Sequence, residues 1–130
     1  MILDTSAIMA VLLDEPERGS FLEAIVDAPR CALSAGTWIE LSAIMTRRHG
    51  TTQIRALERL MGGSNVAIEP ITTAQAALGW QAYRDFGIGT KSPAKLNFGD
   101  CFAYALAKST GEPLLFKGDD FIHTDIVAAL

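Results

Sequence analysis

Short apolar runs alternate along the chain with longer segments in which apolar residues recur at helical spacing. The apolar runs predict four strands, at residues 1–3, 31–34, 66–68 and 114–116. The periodic segments predict six helices, at residues 7–13, between Pro16 and Pro29, and at residues 37–48, 51–61, 73–86 and 98–109. Alternation of short strands with helices is typical of an α/β fold around a parallel sheet. We therefore expect one α/β domain over residues 1–130.

Composition narrows the class of protein. With 130 residues, 49% of them hydrophobic, the chain can form a core without disulfides, which excludes disordered and fibrous proteins. Its formal net charge of −4 argues against a protein that coats nucleic acid with a basic surface. The longest apolar run, residues 7–13, is too short for a membrane span, and the early carboxylate of Asp4 is unlike a secretory signal. We therefore expect a cytoplasmic protein with Cys31 and Cys101 reduced and packed.

Carboxylates follow two of the predicted strands. Asp4 comes directly after the first strand, and Asp119 and Asp120 follow the last strand after only two residues. In a parallel sheet the carboxyl ends of the strands share one edge, where ligands gather. These acids are therefore expected at one edge, although Asp4 could simply cap a helix and the pair could simply form a turn.

Two helices supply one further acid each. Glu40 has Ala43 and Ile44 at the i+3 and i+4 positions, so its carboxylate points along a partly apolar side of its helix. Asp100 lies in the first turn of its helix with Ala103 on the same face, which permits close packing onto the sheet. Glu40 alone could be a surface residue, and Asp100 alone could satisfy a helix N-terminus. The convergence of acids from four segments favours a functional site.

Clustered carboxylates repel one another unless a cation neutralises them. Oxygen ligands without paired His or Cys favour Mg²⁺ or Mn²⁺ over zinc. Mg²⁺ is typically held by one or two carboxylates together with a substrate phosphate. The pattern therefore predicts metal-assisted hydrolysis of a phosphodiester.

Three blocks of sequence closely resemble the VapC toxins, the PIN-domain ribonucleases of bacterial type II toxin–antitoxin pairs. The blocks are MILDTSA at 1–7, LNFGDCFAYA at 96–105 and LLFKGDDF at 114–121, and they occur in order across nearly the whole chain. The resemblance implies a PIN-like three-layer α/β/α domain with a short-stranded parallel sheet. It implies an endoribonuclease, dependent on Mg²⁺ or Mn²⁺, that cuts tRNA or another structured RNA and so inhibits translation and growth. It also implies neutralisation by a VapB-type antitoxin, a homodimer, contact with DNA only through the antitoxin, and no membrane partner.

The resemblance carries the family's metal-binding acids to Asp4 and Asp100 and a supporting acid to Glu40. Family tails of the form Lys-Gly-x-Asp-Phe favour Asp120 as the fourth catalytic acid, while Asp119 is equally close to the strand end, so both remain candidates. Ser6 is a candidate for holding a metal-bound water or an acidic side chain, and it could instead simply cap the helix.

Basic residues near the second and third blocks are candidates for phosphate contact. They are Arg84, Lys91, Lys95 and Lys117, with Lys108 nearby. Arg84 and Lys108 could equally be solvated helix residues. When the five candidate acids are set aside, ten acidic residues face eleven basic ones, so the acidic balance lies largely in the predicted site. RNA binding should therefore depend on the metal.

Two other functions fit parts of the sequence. A phosphatase of the haloacid dehalogenase type also begins with an acid after the first strand, but it needs a second Asp two residues on, where this chain has Ser6. A catalytically idle PIN dimer that binds an antitoxin and helps it to repress its own operon is the alternative from another class. The intact set of acids argues against this loss of activity.

Overall fold

The computed structural model describes residues 1–63 and 65–130 and is built on a central sheet of parallel strands. The strands are β1 (Ile2–Leu3), β2 (Cys31–Ser34), β3 (Val66–Glu69) and β4 (Leu114–Leu115). They are arranged in the order β3-β2-β1-β4, and each neighbouring pair is parallel. The helices are α1 (Thr5–Leu12), α2 (Arg18–Asp27), α3 (Ala35–Arg48), α4 (Thr51–Gly63), α5 (Thr73–Phe86) and α6 (Asp100–Thr110), and a short 3₁₀ helix (Phe121–His123) follows β4. The predicted α/β fold with a parallel sheet is confirmed.

Successive residues of the strands pack into two separate cores because side chains alternate between the faces of a sheet. One core, shared with α1 to α4, takes Leu3, Leu33 and Leu115. The other core, shared with α5 and α6, takes Ile2, Ala32 and Leu114. Burial on both faces explains why β1, β2 and β4 are apolar runs in the sequence, whereas the edge strand β3 is partly exposed. The result is the three-layer arrangement of helices, sheet and helices.

Several helix ends differ from the sequence-based prediction. Helices α1 and α3 each begin two residues early, because Asp4 and Ser34 cap them. Helix α6 begins at Asp100, two residues late, because the side chain of Asn97 accepts hydrogen bonds from the amides of Gly99 and Asp100 and holds the chain in a turn. Helix α4 continues through Gly62–Gly63, where the sequence predicted its end. Gly111 ends α6 as predicted, with a left-handed φ of +70° that glycine adopts without strain.

Both cysteines are free and buried, as expected. Burial raises the pKa of the Cys101 thiol to about 11, so this thiol stays protonated near neutral pH. None of the helices in residues 1–63 and 65–130 has the length and apolar character needed to cross a membrane.

Candidate active site

The carboxyl ends of β1 and β4 lie side by side and place Asp4 at their shared edge. Leu3 pairs with Leu115, and the amide of Asp4 donates to the Leu115 carbonyl at 3.0 Å. Asp4 caps helix α1, and only 4% of it is exposed. Its Oδ2 accepts hydrogen bonds from the Ser6 amide at 2.9 Å and from the Ser6 hydroxyl at 2.5 Å. The Asp4 carboxylate is therefore buried and fixed in direction.

Ser6 joins the start of α1 to the segment that follows β4. Its Oγ donates to Asp4 and accepts a hydrogen bond from the backbone amide of Lys117 at 2.9 Å. Ser6 therefore holds an acidic side chain in this structure, and the residue that caps α1 is Asp4 and not Ser6. The same hydroxyl ties Asp4 to the chain that leads to Asp119 and Asp120.

Glu40 reaches the same edge from α3. The hydroxyl of Ser34, at the end of β2, accepts from the Gly36 amide and starts the helix there, which places Glu40 in its second turn. The Glu40 Oε2 accepts a hydrogen bond from the Thr5 hydroxyl at 2.8 Å. The carboxylate also lies against Gly99, where an added methyl group would overlap it. Glu40 thus contacts the neighbours in sequence of both Asp4 and Asp100.

Asp100 is held by the turn that precedes α6. Its Oδ2 accepts a hydrogen bond from the Asn97 amide at 2.7 Å. The Asn97 side chain in turn accepts from the Gly99 amide at 2.6 Å and from the Asp100 amide at 3.1 Å. Asn97 therefore sets both the start of the helix and the direction of the Asp100 carboxylate.

The carboxylates are close enough for neighbouring negative charges to raise the pKa of Asp4 and of Asp100. Burial is the main cause that raises the pKa of Asp100 to about 7, and the negative charges of Asp4, Asp120 and Glu40 raise it further against the opposing effect of the Asn97 amide. Burial also raises the pKa of Asp4, and the charge of Glu40 adds to this effect while the bonds from Ser6 oppose it. We call Asp4, Glu40, Asp100 and Asp120 the acid cluster.

The turn after β4 separates the two candidates for the fourth acid. Gly118 has a left-handed φ of +97°, and Phe121 is buried and packs against Phe116 with ring centroids 5.1 Å apart. Both Asp119 and Asp120 are exposed on the segment between these two anchors. Of the two, only Asp120 is among the groups whose negative charge raises the pKa of Asp100.

The donor set of the acid cluster consists of oxygen atoms. In the part of the chain that the structure describes, no three His, Cys, Asp or Glu side chains are arranged as a ready-made metal site. Mg²⁺ does not require such a site, since it keeps several waters and binds one or two carboxylates. Buried Asp4 and half-buried Asp100, both with raised pKa values and close to further negative charge, fit such an ion.

Some of the basic candidates are bound in ion pairs, and others are exposed without one in the described part of the chain. The Lys117 ammonium donates to the carboxylates of Glu15 at 2.7 Å and Glu17 at 2.9 Å. Arg84 bonds Asp85 at 2.9 Å and lies over the ring of Trp80, and Lys108 bonds Asp125. Lys91 and Lys95 are exposed on the loop between α5 and α6, and neither has an ion-pair partner among the described residues.

Three residues that contact the acids were missing from the sequence-based site: Thr5, Asn97 and Gly99. An Asn three residues before an Asp at a helix start is a recognisable capping pattern, so Asn97 could have been found. Thr5 and Gly99 are 35 and 59 residues away from Glu40 in the sequence, so no local pattern predicts their contacts with it.

Comparison with known proteins places this arrangement in a family. The family model of the PIN domain matches residues 1–127. Ribonuclease VapC42 of Mycobacterium tuberculosis is 47% identical over 126 residues, which cover 97% of this chain and 96% of that protein. The structure of VapC20 of Mycobacterium tuberculosis, a sarcin-ricin loop cleaving toxin, matches with a TM-score of 0.75 at 17% identity, covering 97% of this chain and 95% of that one. A toxin–antitoxin complex from Klebsiella pneumoniae matches with a TM-score of 0.71 at 21% identity, covering 99% and 97%. The chain therefore belongs to the PIN domain family and, within it, to the VapC ribonucleases.

Proposed function

We propose that this protein is a divalent-metal-dependent endoribonuclease, with the acid cluster as its active site. The observation that carries the proposal is the meeting of four carboxylates, from four segments, at the carboxyl edge of the sheet. Within residues 1–63 and 65–130, none of the four forms an ion pair with Lys or Arg. The name of the relative VapC42, a ribonuclease, supports RNA as the substrate.

Asp4 and Asp100 would hold the metal, with Glu40 and Asp120 in support. When bound, Mg²⁺ or Mn²⁺ would activate a water molecule for attack on phosphorus and offset the charge of the transition state. Ser6 keeps the Asp4 carboxylate in place, as the Asn97 amide does for Asp100. Lys91 and Lys95 are our candidates for phosphate contact, since their ammonium groups are exposed.

Cleavage of RNA by the purified protein tests the proposal. We expect cleavage with added Mg²⁺ or Mn²⁺ and none with EDTA, and we expect Asp4→Asn and Asp100→Asn to abolish it. Asp27→Asn, a matched change of an exposed acid at the end of α2, should cut as the parent does. Unchanged cleavage by either variant of the acid cluster would contradict the assignment.

We further propose that the protein is the toxin of a toxin–antitoxin pair, acts in the cytoplasm and is neutralised by a VapB-type antitoxin. The resemblance to VapC ribonucleases and to a fold seen in a toxin–antitoxin complex supports this partner. Expression of the chain alone should arrest bacterial growth through inhibited translation, and Asp100→Asn should not. Equal arrest by Asp100→Asn would favour the non-catalytic role in operon repression.

A homodimer is the assembly that we propose, and an apolar surface on α5 and α6 supports it. A cavity of about 340 Å³ is lined mainly by apolar side chains, and Trp80 and Phe98 on its lining are 70% and 74% exposed. Exposed rings beside an apolar cavity suit a two-fold interface, in which each copy offers both the protrusion and the recess. Trp80→Glu should give the mass of a monomer by light scattering, while Val26→Glu on α2 should leave the dimer intact. A dimeric Trp80→Glu would exclude this surface.

A further inference from the structure

The Glu40 carboxylate lies between the segments that carry Asp4 and Asp100. Its Oε2 accepts a hydrogen bond from the hydroxyl of Thr5, the residue after Asp4, at 2.8 Å. The carboxylate also lies against Gly99, the residue before Asp100. One side chain on α3 is thus held by the immediate neighbours of both Asp4 and Asp100.

Space, and not backbone conformation, explains the glycine at position 99. Gly99 has φ −63° and ψ −42°, ordinary helical values that any residue adopts. A methyl group there would overlap the carboxylate of Glu40. The overlapped atoms are the far end of a flexible side chain, so alanine would displace Glu40 at little cost to the fold. The absence of a side chain at Gly99 therefore keeps Glu40 where it is.

The hydroxyl of Thr5 is available to Glu40 because a neighbour performs the capping of α1. The Asp4 carboxylate accepts from the Ser6 amide and caps the helix, which leaves Thr5 as its first residue. A hydroxyl that donates to a carboxylate forms a charge-assisted hydrogen bond, which is stronger than one between neutral groups. This bond fixes the direction of a side chain that otherwise has several rotamers.

We infer that Thr5 and Gly99 are positioning residues that hold the Glu40 carboxylate within the acid cluster. Thr5 acts by donating a hydrogen bond, and Gly99 acts by leaving room. Neither needs to touch RNA or metal. The inference rests on the proposed ribonuclease function, because it assigns these residues to the same site.

Thr5→Val and Gly99→Ala test the inference. Changes in groups that orient metal-site side chains typically cost 10- to 100-fold in activity or metal affinity. We expect both variants to lower kcat/KM for RNA cleavage by about this factor and to weaken Mn²⁺ binding measured by calorimetry. Thr5→Ser keeps the hydroxyl and should restore both values. The melting temperature of Gly99→Ala should stay close to that of the parent, because only the end of Glu40 must move.

A double-mutant cycle separates positioning from general damage. In a Glu40→Ala background the carboxylate is gone, so Thr5→Val and Gly99→Ala should have no further effect on either measurement. Thr46→Val, at an exposed position on α3, and Gly19→Ala, which has open space in α2, are matched controls expected to behave as the parent does.

The outcomes are distinguishable from failure of the proposed function. Parent-like cleavage and Mn²⁺ binding in Thr5→Val and Gly99→Ala, beside an inactive Asp100→Asn, would overturn the inference and leave the ribonuclease assignment in place. Losses that add to that of Glu40→Ala would also overturn it. An active Asp100→Asn would instead contradict the assignment of the site itself.

Discussion

Helix α6 carries charged groups in two opposite settings. At its start, Asp100 shares the sheet edge with other carboxylates, and burial first and then their charges raise its pKa to about 7. Further along, the Tyr104 hydroxyl and the Lys108 ammonium both donate to Asp125, each at 2.6 Å. These bonds, the one from Lys108 foremost, lower the pKa of Asp125. The helix thus begins with a repelled acid and, further along, carries the donors that neutralise Asp125, which lies outside the helix.

The presence or absence of a cationic partner separates charges that stabilise the fold from charges that form the site. Acids outside the sheet edge repeatedly have cationic partners, as Glu15 and Glu17 have in Lys117 and Asp125 has in Lys108. The acid cluster has hydroxyl and amide donors but no Lys or Arg partner among the described residues. Uncompensated charge in a buried place destabilises a protein, and natural chains keep such strain chiefly where function needs it.

Replacement of Asp100 or of Asp125 by asparagine should have the largest effects, and the two variants should change cleavage and melting temperature differently. Asp100→Asn should lower RNA cleavage by more than about 100-fold, beyond the loss typical of groups that only orient a metal site. It should also raise the melting temperature of the metal-free protein at pH 8, because it removes a repelled charge. Asp125→Asn should do the opposite, with cleavage retained and the melting temperature lowered. Thermal unfolding together with a cleavage assay checks both, and equal signs in the two variants would remove the contrast.

A divalent ion should have the next largest effect on stability. At 100 times the dissociation constant, a ligand that binds only the folded state stabilises it by about 2.7 kcal/mol. We expect Mn²⁺ to raise the melting temperature more at pH 8 than at pH 6, because Asp100, with a pKa of about 7, must lose its proton to bind metal. Asp125→Asn should keep this shift, whereas Asp100→Asn should lose most of it. A shift equal in all three proteins would place the metal elsewhere.

Without metal, the stability should fall as pH rises. The pKa of Asp100 is raised from 3.8 to about 7 on folding, so the folded state binds more protons between these values. The free energy of unfolding should therefore decrease over this window, by up to about 1.4 kcal/mol per pH unit for one such group. Urea unfolding at pH 5, 6 and 7 measures the slope. Asp100→Asn should flatten it, and an unchanged slope in that variant would assign the pH dependence to other groups.

The sequence could predict much of this fold because its signals are local. The strand at 31–34 has the predicted limits because it is an apolar run, and the helix at 73–86 has them because its apolar residues recur at helical spacing. The edge on which Asp4 lies followed from the rule that parallel strands end together. The placement of Glu40 against Thr5 and Gly99 could not be predicted, because it depends on how α3, α1 and the turn before α6 pack.

The smallest expected effect is the loss of stability when the ion pair between Lys108 and Asp125 is removed. Lys108→Met keeps most of the apolar stem and removes the charge that lowers the pKa of Asp125. Because both partners are well exposed, the loss of unfolding free energy at pH 7 should be at most about 1 kcal/mol. The depressed pKa means that this stabilisation exists above the unfolded value of 3.8 and disappears as pH falls through the folded one. The difference in unfolding free energy between the parent and Lys108→Met, measured with urea, should therefore shrink toward pH 3. The stabilisation by this ion pair thus grows with pH, whereas the contribution of Asp100 falls with pH. A difference that stays constant with pH would assign it to packing of the lysine stem and not to the ion pair.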